Sequence, residues 1–155
     1  YLWDEGDPKS AFDKAIKNSN KVAMSLSDLF CVERHRPHFL DLVKNKLDIT
    51  FANEQEITSL INAKNFDEII SFGQQLRKLI IVTRGEKGSI AIDKNQVINC
   101  ESKKGLDIVD LTGAGDLFAA GYLHGYINNL TVHQSLEKGT EMSSKVIQKI
   151  GARLD

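Results

Sequence analysis

The stretch Leu79-Ile80-Ile81-Val82-Thr83 is apolar at every position but its last, and this run constrains the fold more than any other feature. A strand with one face in water alternates apolar and polar residues. A continuous apolar run needs cover on both faces, as a central strand has in a parallel sheet flanked by helices. Val22-Ala23-Met24-Ser25-Leu26 and Leu47-Asp48-Ile49-Thr50-Phe51-Ala52 read as earlier strands. Ser89-Ile90-Ala91-Ile92 and Val97-Ile98-Asn99-Cys100 read as later ones, joined by a turn at Asn95-Gln96. Elsewhere apolar residues recur at helical spacing. Ala11, Phe12, Ala15 and Ile16 mark a helix over Pro8 to Asn18, and Phe39, Leu40, Val43 and Leu47 one begun by Pro37. Ile57, Leu60 and Ile61 follow Asn53, and Phe66, Ile69, Ile70, Gly73 and Leu76 mark a further helix. Two last helices are expected over Ala114 to Asn129 and Thr131 to Ile150, the second with Gly139 as a point of kinking or close packing. Helix alternating with strand predicts an α/β domain with a mainly parallel sheet. At 155 residues, without a Pro-, Gly- or Ser-rich linker, residues 1–155 are expected to form one domain.

Hydrophobic residues make up 41% of the chain and charged residues 26%, the balance of a globular protein. A formal net charge of −1 supplies no basic field for nucleic acid or an anionic membrane. The cluster Arg34-His35-Arg36 reads as a solvated loop. No apolar run approaches the roughly 20 residues that span a bilayer, and residues 1–8 lack a signal-peptide pattern. Cys31 and Cys100 stand in no metal-ligand spacing, so reduced thiols in the cytoplasm, and no zinc site, are expected. The opening Tyr1-Leu2-Trp3 predicts exposed apolar surface and, with it, self-association into a homo-oligomer.

The chemistry concentrates between Asp107 and Gly121. Gly113-Ala114-Gly115 opens an apolar helix, and Asp116 sits in its first turn. Small residues there let the backbone approach a ligand and aim successive N–H groups at it, and the helix dipole adds to an anion site. Asp116 at the edge of that site can accept a proton from an attacking hydroxyl. A tight turn whose Asp caps the helix fits the same residues. The common phosphate motifs do not account for the segment: GxxxxGK[ST] is absent, and Gly113-x-Gly115 lacks the third glycine of GxGxxG. Asn53 followed by Glu56 forms a capping-box pattern.

The string Asp110-x-Thr112-Gly113-Ala114-Gly115-Asp116-x-Phe118-x-x-Gly121 resembles the second signature of the ribokinase-like (PfkB) family of sugar and nucleoside kinases. Three further segments agree in order. Asn53-Glu54-Gln55-Glu56 is similar to the family's NxxE motif, Thr83-Arg84-Gly85-Glu86-Lys87-Gly88 to its TxGxxG turn, and Gly151-Ala152 to its closing Gly-Ala. The resemblance implies a three-layer α/β/α fold and an ATP-dependent transfer of phosphoryl to a sugar or nucleoside hydroxyl. It implies Asp116 as catalytic base, and Gly113, Ala114 and Gly115 as the hole for charge on the transferred group. Asn53, Thr83, Gly85, Lys87, Gly88 and Thr112 join Gly113 and Gly115 on the nucleotide. Asn53 and Glu56 would act on Mg²⁺ largely through water, and Asp110 and Gly151 on a monovalent cation such as K⁺. A capping box without metal fits Asn53 and Glu56 equally, and an exposed turn lysine fits Lys87.

Leu111 stands where the family usually has Thr, and Arg84 where it often has an apolar residue. The family's N-terminal half, with its sugar-binding residues, first glycine-rich signature and β-sheet lid, is not recognisable. The chain is therefore expected to be the C-terminal nucleotide-binding and catalytic part of a longer kinase, inactive alone. Ser27-Asp28-Leu29-Phe30-Cys31-Val32-Glu33-Arg34-His35-Arg36, with Tyr1-Leu2-Trp3-Asp4, is similar to bacterial adenosine-kinase-like members. A ribokinase-, fructokinase- or ketodeoxygluconate-kinase-like activity is the rival within the class. A nucleotide-binding module without turnover is the rival outside it.

Overall fold

The structure, a computed structural model, describes residue 3 and residues 5–154. A five-stranded sheet forms its centre, in the order β1 (Ala23–Ser25), β2 (Ile49–Asn53), β3 (Leu79–Thr83), β4 (Ser89–Ile92), β5 (Val97–Cys100). The first three strands are parallel, and β4 and β5 are each antiparallel to the strand before. The sheet is thus mixed, and the expected parallel order is confined to its first three strands. The links after β3 and β4 are too short for a crossover, which takes a dozen or more residues, so both strands must double back.

Helices cover both faces. On one side lie α1 (Pro8–Asn18), α2 (Leu29–Arg34), α3 (Arg36–Asp41), α4 (Glu54–Ile61) and α5 (Phe66–Gln75). They bury Val32, Phe39, Ile57, Leu60 and Ile69 against Ile80, Val82, Ile90 and Ile92. On the other side, α6 (Ala114–Ile127) and α7 (Val132–Val146) pack Phe118, Tyr122 and Leu136 on Ile49, Phe51 and Ile81. Successive residues of β3 face opposite cores, which is why that run is apolar throughout.

Three features differ from expectation on the first face. Residues 29–34 are helical, with the Asp28 carboxylate accepting from the Cys31 N–H at 2.7 Å, so Arg34-His35-Arg36 bridges two helices and is not a loop. Arg36 Nε donates to the Leu60 carbonyl at 2.9 Å. The helix begun near Pro37 passes after Asp41 into a π-helical turn, Leu42–Lys46. Trp3 is half-buried against Phe12, His35, His38 and Phe39, its ring 4.3 Å from that of Phe39. Trp3 is thus partly covered by the first-face helices, and Tyr1 and Leu2 lie outside the described residues.

Helices α6 and α7 approach closely because glycines line their contact. A methyl built on Gly121 would stand 2.5 Å from the Lys138 carbonyl oxygen, and one on Gly139 would stand 2.8 Å from that of Phe118. Gly139 thus serves close packing, and α7 runs unbroken through it. Gly121→Ala is expected to force the helices apart at a cost of about 1–3 kcal/mol. Calorimetry should record a midpoint lower by about 2–4 °C for each kcal/mol lost. Gly115→Ala, with nothing within 4 Å of the added methyl, should leave the midpoint unchanged or raise it.

Candidate active site

Three chain segments meet beyond the carboxyl ends of the parallel strands, the usual place for a ligand in an open α/β sheet. The first leaves β2 at Asn53, which caps α4. Asn53 Oδ1 accepts from the Glu56 N–H at 2.8 Å, and Glu56 Oε2 accepts from the Asn53 N–H at 2.9 Å. Asn53 Nδ2 also donates to Glu56 Oε1 at 2.7 Å. The capping box read from the sequence is therefore present. Glu56 is only 5% exposed. Burial pushes its carboxyl above the ordinary carboxylate range, the nearby Asp28 charge adds to that, and the Asn53 N–H opposes it.

The second segment leaves β3 at Thr83, which pairs directly with Asn53 in the sheet. The Arg84 N–H donates to the Gly88 carbonyl at 2.8 Å, closing a 3-10 turn over Gly85–Lys87. Gly88 has φ +85°, and a Cβ there would run into the Cys100 carbonyl, so the turn lies tightly on the end of β5.

The third segment is the start of α6. Gly113 adopts φ +77° at the N-cap, and a methyl on it would stand 2.6 Å from Cβ of Ala152. Asp110 holds this loop from behind. Its Oδ1 accepts from the Thr112 N–H at 2.9 Å and the Thr112 hydroxyl at 2.7 Å, and its Oδ2 accepts from the Gly151 N–H at 2.8 Å. The Gly151 N–H, followed by Thr112, pulls the Asp110 carboxyl below its ordinary range. The Val109 and Asp110 N–H groups both donate to the Ile147 carbonyl, at 2.8 and 3.2 Å, tying the loop to the end of α7.

Asp7, Asp28, Asn53, Asn65 and Thr131 cap their helices with side chains, whereas no side chain caps α6. Asp116 is its third residue and is not in the capping position, so the cap reading of Asp116 does not hold. The Ala114 N–H turns back to the Leu111 carbonyl at 3.1 Å. The Gly115 and Asp116 N–H groups are left without intrahelical acceptors, as first-turn donors are.

Two adjoining clefts result. The smaller, about 410 Å³, gathers Asn53, Glu56, Thr83 and Gly113 to Asp116, together with Ser25 and Ser27. The larger, about 590 Å³, lies between Gly85, Gly88 and Ser89, the segment 102–106, and Thr140, Ser143 and Ser144 of α7. Thr83, Leu111, Ala114, Gly115 and Phe118 form the wall they share. Lys87 and Thr112 line neither cleft: Lys87 faces Glu54 at 3.9 Å, and Thr112 is spent on Asp110. Asp110 and Gly151 also stand behind the clefts. Ser25, Ser27 and residues 102–106 were not named as site residues from the sequence. The one signal for Ser25 was its place at the carboxyl end of a parallel strand.

A three-layer α/β/α sandwich with these elements around a glycine-opened helix has the ribokinase-like fold. The chain belongs to the PfkB family: residues 9–155 match the pfkB family carbohydrate kinases. It is similar to the crystal structure of adenosine kinase from Sinorhizobium meliloti, with 36% identity and a TM-score of 0.93 over 99% of this chain and 48% of that one. It is 35% identical to fructoselysine 6-kinase of Escherichia coli over 97% of this chain and 53% of that protein. It is 32% identical to a nucleoside kinase of Methanocaldococcus jannaschii over 96% and 48%. The chain thus spans about half the length of the relatives it matches.

Two predictions follow from the site's carboxylates. A depressed carboxyl stabilises above its unfolded value and releases that stability as pH falls through the folded one. The Asp110 staple should therefore hold down to below about pH 4, and the Gly151 amide shift, followed by NMR, should titrate with a midpoint under the usual Asp value. Glu56 has the opposite sign, because its raised value makes the charged form a cost at neutral pH. Glu56→Gln should change the thermal midpoint little, since removing the buried charge offsets the one bond lost where the Gln NH2 would face Asn53 Nδ2, while its oxygen still closes the box. Glu56→Ala should lower it, at about 1–3 kcal/mol for the orphaned donors.

Proposed function

We propose that this chain is the nucleotide-binding and catalytic portion of an ATP-dependent kinase that phosphorylates a hydroxyl of a sugar or nucleoside, with an adenosine-kinase-like acceptor favoured. The observation that carries the reading is the shared wall. The uncapped start of α6, Thr83 and the carboxylate of Asp116 border one cleft, while the turn at Gly85 and Gly88 borders the next. A nucleotide lying across that wall has its base and ribose in the larger cleft and its terminal phosphate at the Gly115 and Asp116 N–H groups. In the transfer, the acceptor oxygen bonds to the γ-phosphorus as the β–γ bridging bond breaks. The hydroxyl proton goes to Asp116, and ADP leaves.

Asn53 and Glu56 suit Mg²⁺ held through water. Both border the smaller cleft, yet both Glu56 oxygens already accept from Asn53, and no group of three or more His, Cys, Asp or Glu gathers among the described residues. When bound, Mg²⁺ supplies charge neutralisation at the phosphates. Asp110 and Gly151 fit a cation loop, with Asp110 chiefly its staple. The similarity to an adenosine kinase and a nucleoside kinase favours a nucleoside acceptor, and fructoselysine 6-kinase supports the sugar alternative.

Because the relatives are about twice as long, the chain alone is expected to bind MgATP without turning over an acceptor. Binding and transfer should be measured separately. In the protein that carries this chain, Asp116→Asn should lower kcat by about 10²–10⁴-fold, with thermal midpoint and ATP affinity retained. A variant as active as its parent would remove Asp116 from the chemistry.

A further inference from the structure

Arg84 and Glu54 each follow directly on the paired residues Thr83 and Asn53, and their side chains join across the gap. Arg84 Nε donates to Glu54 Oε2 at 3.0 Å. The guanidinium also lies over the ring of Phe66, at the start of α5, with Cζ 3.5 Å from the centroid. The Arg84 side chain is only 19% exposed. Its backbone closes the turn, since its N–H donates to Gly88 and its carbonyl accepts from Lys87 at 3.2 Å. Lys87, at the far end of the same turn, brings its ammonium within 3.9 Å of Glu54 Oε1. Neither Arg84 nor Glu54 lines a cleft, so any effect they have on a ligand must act through other residues.

We propose that the Arg84–Glu54 pair is a clasp that fixes the nucleotide turn against the start of α4, making Arg84 a positioning residue for nucleotide binding. The geometry explains why a clasp is needed there. Beyond Asn53 and Thr83 the two chains diverge, one into a helix and one into a tight turn, and the ladder of backbone hydrogen bonds ends. On its far side the turn is held by Gly88 against the Cys100 carbonyl and by the Ser102 hydroxyl, which donates to the Glu86 carbonyl at 2.7 Å; Arg84 and Glu54 supply the tie on the side of Asn53 and Glu56. The planar guanidinium suits the task, since it can stack on Phe66 while its edge meets a carboxylate, which an ammonium cannot do. Glu54 draws both ends of the turn to one point and so sets its orientation as well as its distance.

The inference rests on the reading of the clefts as a MgATP site, and the test separates the two. Calorimetric titration of MgATP into this chain should give a Kd about tenfold higher for Arg84→Ala than for the parent, equivalent to about 1.4 kcal/mol. Arg84→Lys should recover part of the loss. The exchanged pair Glu54→Arg with Arg84→Glu should bind better than the two single losses combined predict. A parent-like Kd for Arg84→Ala, or strict additivity in the exchanged pair, overturns the clasp. Should the parent itself fail to bind MgATP, the functional reading of the chain alone falls. Hydrogen exchange then decides the clasp. Amides of residues 83–88 and 53–56 should exchange faster together in Arg84→Ala while those of 118–122 stay at parent rates, and unchanged exchange in both segments sinks it.

Discussion

In a parallel sheet neighbouring strands leave by the same edge, so β2 and β3 deliver Asn53 and Thr83 to one place only if their register is held. The usual guard on register is polarity, because a one-residue slip turns a strand's buried face outward. That guard is weak here. Both faces of β3 are buried and apolar, with Ile80 and Val82 on one core and Ile81 on the other, so a slip would exchange one aliphatic surface for another. What distinguishes the observed pairing lies just past the strand ends, in the contact of Arg84 with Glu54. A contact at the edge of the site thus joins the two strand ends in the observed register.

The start of α6 is held by a different logic. An uncapped helix end leaves donors unpaired, and a left-handed residue at its entrance needs glycine. Both conditions persist because the loop is secured on the side away from the cleft: Asp110 accepts three hydrogen bonds, and the carbonyl of Ile147 accepts two N–H groups. The anchorage lies behind the loop and the open donors face forward. Glycines between α6 and α7 allow the close contact that keeps the end of α7, and with it Ile147, in reach.

Features governed by local rules were legible in the sequence. The apolar run of β3, the helix at Pro8, the Asn53–Glu56 box and the glycines before Asp116 all depend on neighbours within a few positions, and all lie where they were expected. The reversal of β4 and β5 was also readable, from links too short for a crossover, although the alternation of the first half pointed to a parallel sheet. Helix α2 has six residues, fewer than two turns, so no periodicity could show. Arg84 was seen only as a departure because its partner lies 30 residues earlier. Leu111, the other departure, is 66% exposed and forms part of the wall between the clefts.

The two clefts differ in a way that bears on how a triphosphate could be held. The larger is walled in part by Leu106, Ile108, Leu111, Phe118 and Ile147, a surface suited to a flat apolar group such as a base. The smaller contains the carboxylates of Glu56 and Asp116, and no Lys or Arg lines it. Lys87, the nearest basic candidate from the sequence, is turned toward Glu54. A phosphate entering the smaller cleft therefore meets two carboxyl side chains, and what the protein offers in return is uncharged: backbone N–H groups, the hydroxyl residues Ser25, Ser27 and Thr83, and the positive end of α6. A helix end amounts to about half a unit charge, too little to balance a terminal phosphate beside two carboxylates. Under the proposed MgATP reading, a cation arriving with the nucleotide would offset that charge, and Asn53 and Glu56, which border this cleft, are the residues that reading assigns to its water shell.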